Sequence, residues 1–130
     1  MKHFKSFLNE EIEKFQSDNP VLRDAIKDHN KISKYEDDNE KFFGKDVRKT
    51  KQLFNLTEEL YTFIKRNLEK IVFTPNDIKL SQEFLKNVDQ LISDYLRSPD
   101  EYNMMDMMLN LMHEILKLAI QYERKEYFRK

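Results

Sequence analysis

The chain has 130 residues, of which 36% are charged and 39% hydrophobic, and its formal net charge is −1. One glycine and three prolines are too few for the many turns of an all-β fold, and the near-neutral charge does not favour nucleic-acid binding, which needs a basic surface. The chain has no cysteine, which excludes disulfides, thiolate catalysis and cysteine-ligated zinc.

The first residues carry no recognisable targeting signal. Residues 1–11 contain no sustained apolar run and become acidic early, so we expect neither a secretory signal nor a transit peptide. No apolar run approaches the about 20 residues that a membrane-spanning helix needs. We therefore expect a cytoplasmic protein, of a cell or of an infected host, without membrane association. Residues 1–10 resemble the Met-Lys-aromatic start common among proteins of T4-like phages, and that resemblance implies a phage protein.

Prolines and the single glycine mark the predicted helix boundaries. Asn19-Pro20, Thr74-Pro75 and Ser98-Pro99 each place a favoured N-cap residue before a proline at the first helical position. Ser98 is also followed three residues later by a glutamate, which is the spacing of a capping box. Gly44 is expected to end a helix or to open a turn before Asp46.

Between these marks apolar residues recur every 3.5 to 3.6 positions, which predicts amphipathic helices. A short first helix and a weaker second one are expected before the acidic stretch 35–43, which we predict to be a loop. Three further stripes follow, of which the first and the last are the longest. The predicted apolar stripes cover residues 4–15, 21–32, 53–71, 84–95 and 104–122.

These elements predict an all-α fold, an antiparallel bundle of four long helices plus a short N-terminal helix. Helices of about 20 residues joined by short turns pack as antiparallel neighbours. No internal repeat or low-complexity linker divides the chain, so residues 1–130 are predicted to form a single helical-bundle domain.

Five of the six methionines lie within residues 103–112, in the last predicted helix. On a helical wheel the apolar residues 104–122 cover an arc of roughly 220°, whereas a bundle helix usually shows a stripe somewhat wider than about 100°. The excess indicates either a central helix with neighbours on both sides or a docking face for another protein or a second copy. The candidate contact residues, called the methionine surface below, are Met104, Met105, Met107, Met108 and Met112.

The C-terminal stretch is rich in cations interleaved with aromatic residues. Cations in a last helical turn stabilise the negative end of the helix dipole, and this is the simplest interpretation. The same pattern also suits an anionic partner or an RNA backbone. A second basic cluster lies between residues 45 and 51, and the two would form one positive patch if they met in space. The possible anion or RNA contacts are Lys117, Arg124, Lys125, Arg129 and Lys130.

Arg23 and His29 lie six residues apart, a spacing that resembles the Arg and His pair of the HEPN class of small helical ribonucleases. That resemblance implies an arginine that supports the scissile phosphate and an imidazole that transfers a proton. In the HEPN class the pair lies late in the chain, whereas here it lies early. We therefore expect both side chains to be solvated on a polar helix face.

His113 shares a polar strip of the last helix with Asp106, Asn110 and Glu114. Metal-binding bundles of the di-iron type require Glu-x-x-His on paired helices, and this pattern does not occur in the chain. We therefore predict that His113 lies on the ordinary polar side of an amphipathic helix, and we expect neither a metal nor a cofactor.

No nucleophile, glycine-rich phosphate loop or carboxylate pair points to catalysis. The preferred functional prediction is a non-enzymatic protein–protein interaction module, such as an adaptor, inhibitor or assembly factor, that acts through the methionine surface. Its partner would be another protein or a second copy of the chain. The alternative is a small RNA-binding or RNA-cleaving bundle that uses the basic C-terminal helix.

Overall fold

The computed structural model describes residues 12, 14–99 and 102–129, of which residues 126–129 are described by their backbone alone. The described residues form helices and connections without any strand. Four long helices pack together, which confirms the predicted all-α bundle. The helices are α1 (Pro20–Asn39), a 3₁₀ turn (Glu40–Phe42), α2 (Val47–Arg66), α3 (Leu68–Ile71), α4 (Pro75–Arg97) and α5 (Tyr102–Arg129).

Side-chain caps fix the starts of three of the long helices. The Asn19 side chain accepts hydrogen bonds from the first backbone amides of α1, and Pro20 occupies the first helical position. The Thr74 hydroxyl accepts from the Asp77 amide at 3.1 Å in the same way at the start of α4. Both predicted starts are confirmed. The third predicted start is wrong, because Ser98 follows the end of α4 and Pro99 lies in a turn instead of at the first helical position. Glu101 of the predicted capping box and most of the predicted first helix lie outside the described residues.

The connection between α1 and α2 depends on Gly44 and Asp46. Gly44 has a φ of 85°, a left-handed conformation that favours glycine, and it lies in the turn that the sequence predicts. The Asp46 carboxylate then caps α2 by accepting from the Arg48 amide at 3.0 Å and the Lys49 amide at 3.2 Å. The turn therefore closes without a longer loop.

The predicted loop at residues 35–43 is wrong, because α1 continues to Asn39 and a 3₁₀ turn follows. The acidic composition suggested a solvated segment, but tertiary contacts hold it helical. Glu36 is only 2% exposed and accepts a hydrogen bond from the Tyr102 hydroxyl of α5 at 2.8 Å. Phe43 is buried and stacks on the Tyr102 ring, with ring centroids 5.0 Å apart.

The apolar residues of the predicted stripe 53–71 lie on two helices, α2 and α3, and not on one. The chain leaves α2 at Asn67, whose backbone amide bonds to the Phe63 and Ile64 carbonyls and whose side chain donates to the Phe63 carbonyl at 2.9 Å. The short helix α3 then packs against α1 and α2. Within the described residues, no helix combines the length and apolarity that a membrane crossing requires.

Helix α5 lies at the centre of the bundle, where it contacts α1, α2 and α4. Its buried apolar side chains join those of the other long helices in one core cluster. The central-helix interpretation of the wide apolar arc is therefore correct for most of the arc. The buried apolar residues of α5 are Met105, Met108, Leu109, Met112, Ile115, Leu116, Ala119 and Ile120.

Two neighbouring methionines should respond oppositely to the same substitution. Met108 is fully buried and Met107 is 52% exposed. We expect Met108→Lys to lower the free energy of unfolding by more than about 4 kcal/mol, because it places an unpaired charge in the core. Met107→Lys should change it by less than about 0.5 kcal/mol. Urea unfolding followed by circular dichroism measures both; equal losses would contradict the central position of α5.

Candidate functional site

The methionine surface does not exist as one exposed face. Met105, Met108 and Met112 are at most 1% exposed, so the prediction that all five methionines contact a partner is wrong for these three. Their side chains fill the space between α5 and its neighbours. Met104 is half-buried against the core, and Met107 alone of the five is exposed. A contact role for Met107 stays a prediction.

The two basic clusters lie at opposite ends of α5. Arg124 and Lys125 are exposed near its C-terminal end and Lys117 is half-buried, while the side chains of Arg129 and Lys130 lie outside the described residues. The cluster at residues 45–51 follows Phe43, which stacks on Tyr102 at the start of the same helix. The helix from Tyr102 to Arg124 spans about 30 Å. The two clusters therefore do not form one patch.

A buried polar seam joins α1 to α5 and includes both histidines that the sequence singles out. His29 is fully buried and His113 is 6% exposed, and their ring centroids lie 5.4 Å apart. The expectations that His29 is solvated and that His113 lies on an ordinary polar face are therefore wrong. Residue spacing shows that both belong to polar strips but not that the strips face each other across the α1–α5 contact.

This seam offers no evident chemistry to a substrate. Arg23 is exposed and its Nε donates to the Ser17 carbonyl at 3.2 Å, whereas the His29 imidazole is enclosed in the core. A phosphate could not contact both groups at once, so the geometry does not support the ribonuclease interpretation. Among the described residues no group of three or more His, Asp or Glu side chains is arranged to hold a metal ion.

Tyr102 closes the seam at the end nearest the start of α5. Burial raises the pKa of the Tyr102 hydroxyl, and the nearby carboxylates of Asp106, Glu40 and Asp37 raise it further. The hydroxyl therefore stays protonated and donates to Glu36. This bond ties α1 to α5 within the segment 35–43 that the sequence suggests is a loop.

Removal of the Tyr102 hydroxyl should weaken the α1–α5 contact. We expect Tyr102→Phe to lower the free energy of unfolding by about 1–3 kcal/mol, because a buried carboxylate loses a donor while ring stacking on Phe43 is retained. Urea titration measures the change. Tyr122→Phe, which removes a hydroxyl elsewhere on α5, is the control, and an equal effect of the two would contradict the role of this bond.

A pocket of about 1050 Å³ lies near the C-terminal end of α5 and is open to solvent. Three separate stretches of the chain form it. They are residues 15–22 before and at the start of α1, residues 69–73 at the end of α3 and just after it, and residues 119–124 of α5. We call it the aromatic pocket. Its apolar lining consists of Phe15, Pro20, Val21, Leu22, Phe73, Ala119 and Tyr122.

Two ring contacts shape the aromatic pocket. Phe73 is 48% exposed and contacts the Tyr122 ring, with centroids 5.2 Å apart. The Arg124 guanidinium lies over the Phe15 ring at 5.4 Å from its centroid, a favourable cation–π arrangement. Large aromatic groups are thus held at the surface by their neighbours and stay available for contact.

The segment 15–19, here called the strap, forms one wall of the pocket and is held by Glu123. One carboxylate oxygen of Glu123 accepts from the Ser17 hydroxyl at 2.7 Å, and the other accepts from the Asp18 amide at 2.6 Å. The Asn19 side chain donates to the Lys70 carbonyl at 2.7 Å, which joins the strap to the end of α3. These bonds fix three chain segments relative to one another.

Little in the sequence predicts this pocket. Phe15 belongs to a predicted helix stripe, although it lies in a non-helical connection, and Phe73 belongs to no predicted stripe. The available signal is an aromatic residue directly after the short apolar run Ile71-Val72 and before the helix start at Thr74. An exposed aromatic at that position has no place in the period of either helix.

Comparison of the chain with known protein families, with curated proteins and with solved structures gives no significant match.

Glu123 should control the position of the strap. We expect Glu123→Gln to lower the free energy of unfolding by about 1 kcal/mol, because an amide nitrogen cannot accept one of the two hydrogen bonds. Amide hydrogen exchange at Asp18 should become faster, while exchange within α4 stays unchanged. Glu114→Gln, an exposed glutamate of the same helix, is the matched control. Unchanged exchange at Asp18 would contradict the assignment.

Proposed function

We propose that the chain is a non-enzymatic interaction module that binds an apolar segment of a partner protein in the aromatic pocket. The observation that carries the proposal is the pocket itself, about 1050 Å³ and lined by three aromatic rings. Ligand pockets commonly measure about 300–1,000 Å³. The aromatic pocket slightly exceeds this range, so it has room for several large side chains of a partner.

The polar groups of the pocket support binding rather than catalysis. Glu123 and Asn19 use their side chains to hold the strap to α5 and α3. The Arg124 guanidinium lies over Phe15. The Ser17 hydroxyl does contact a carboxylate, that of Glu123, but Ser17 is only 4% exposed and its hydrogen bond holds the strap in place. Ser17 therefore does not present a nucleophile to a ligand in the pocket. What the pocket offers a ligand is mainly apolar and aromatic area.

The proposed function is still that of a protein–protein interaction module, but the binding site is the aromatic pocket instead of the methionine surface. An exposed aromatic residue at the mouth of an apolar pocket is a common anchor of protein interfaces, where truncation of a few such residues removes most of the binding energy. Phe73 has this position. Met107, in contrast, is the one exposed member of the methionine surface, and three of the other members are in the core.

The RNA-binding alternative has less support. The two basic clusters lie near opposite ends of α5, and the acidic residues Asp37, Asp38 and Glu40 lie a few positions before the cluster that follows Gly44. Binding of mixed-sequence RNA at two salt concentrations measures the alternative, since phosphate contacts give a steep dependence of affinity on salt. We expect weak binding with a shallow salt dependence.

Phe73 should be essential for binding. A displayed library of random peptides is selected against the wild-type chain, and the affinity of the recovered peptides is measured for Phe73→Ser. We expect a loss of about tenfold or more, because the substitution removes an aromatic anchor from the pocket mouth.

Phe42→Ser is the matched control, since Phe42 is 37% exposed and lies with the basic cluster near the other end of α5. It should change affinity by less than about twofold. Met107→Lys, whose side chain is also exposed, should have an equally small effect. Failure to recover peptides, or peptides that respond to Met107→Lys and not to Phe73→Ser, would contradict the proposal.

A further inference from the structure

The backbone around the aromatic pocket is already hydrogen-bonded. The Val21 and Leu22 amides at the start of α1 donate to the Asn19 side chain, and the Lys70 carbonyl accepts from the amide of the same side chain. The Asp18 amide donates to Glu123. These three amides and this carbonyl are therefore already used, whereas an extended peptide that adds a strand to a protein needs free backbone donors and acceptors.

This constrains the conformation of a bound segment. An extended segment that buried its backbone in the pocket would leave N–H and C=O groups without partners, which would weaken its binding. A helix satisfies its own backbone and presents only side chains. The pocket is lined by parts of α1, α3 and α5 together with the non-helical strap and Phe73, and the described residues include no strand. An apolar pocket without a strand edge to extend favours a helical ligand.

The charges at the rim favour the same ligand. Lys70 and Arg124 are exposed at the pocket, and so are Asp18 and Glu69. Both signs thus occur around one apolar floor. An amphipathic helix carries acidic and basic side chains beside its apolar face and can meet both signs. A fatty acid or an anionic lipid headgroup would gain from the two cations and be repelled by the two carboxylates.

We propose that the aromatic pocket receives one amphipathic α-helix of a partner protein, with large apolar side chains at positions i, i+3 or i+4, and i+7. This inference rests on the proposed function and adds the conformation of the bound segment. The apolar side chains pack on Phe73, Tyr122 and Phe15, and the flanking charges pair with the rim. The mode is that of a helix bound in a hydrophobic groove.

Two displayed peptide libraries of identical composition test the inference. In one library the apolar positions follow the helical spacing, in the other they alternate as in a strand, and all remaining positions are random. We expect Phe73-dependent binders, which bind the Phe73→Ser variant about tenfold or more weakly than the wild-type chain. Such binders should come from the helical library and not from the alternating one. A proline at the centre of a recovered peptide should abolish its binding, because proline interrupts the helix.

The other possible results separate the helical-ligand inference from the proposed function. Phe73-dependent binders from the alternating library, or binders that tolerate the central proline, would overturn the helical ligand and leave the proposed function standing. An absence of Phe73-dependent binders from both libraries would overturn both. Phe73-dependent dimerisation in sedimentation equilibrium would identify a second copy as the occupant instead, and Phe73-dependent binding of oleate would identify a lipid. Either result would overturn the inference.

Discussion

Because the apolar arc of α5 covers roughly 220° of its circumference, no single neighbouring helix can bury it, and α1, α2 and α4 all contact it. The arrangement of the bundle follows from this requirement. Met108 and Met112, which are fully buried, lie where flexible thioethers can fill the irregular space between several helices. The wide apolar arc of α5 therefore accounts both for its central position and for the hydrophobic core that forms around it.

The same helix takes part in two separate groups of contacts, one near each of its ends. Near its start, Tyr102 joins α1 to α5 through Glu36 and stacks on Phe43. Near its other end, Glu123 holds the strap while Tyr122 and Ala119 line the aromatic pocket. Helix α5 is buried in its middle, and near its C-terminal end it lines the pocket that we propose as the binding site.

Local chemistry made much of the fold predictable from sequence. Asn19-Pro20 and Thr74-Pro75 mark helix starts because a cap and a proline act within one turn. Segment 35–43 was not predictable in the same way, since its helical state depends on Tyr102, 66 residues away from Glu36 in the chain. The burial of His29 against His113 likewise depends on how two helices face each other.

The candidate site was less predictable, because each wall of the pocket comes from a different part of the chain. The strap, Phe73 and the region around Glu123 carry no motif, and only tertiary hydrogen bonds such as Ser17 to Glu123, 106 residues apart, bring them together. Composition correctly indicates a chain with adaptable apolar side chains. It does not distinguish methionines that fill a core from aromatic residues that remain at the surface.

Chemical-shift mapping with the isotope-labelled chain and a recovered helical peptide tests most directly where the chain binds. We expect the largest changes in amide chemical shift on peptide binding to cluster around the strap, Phe73 and Tyr122. Residues around Met107 and around the Phe42 turn should shift little. The largest shifts around Met107, with the strap unaffected, would contradict the pocket and return the binding site to the exposed side of the methionine-rich segment.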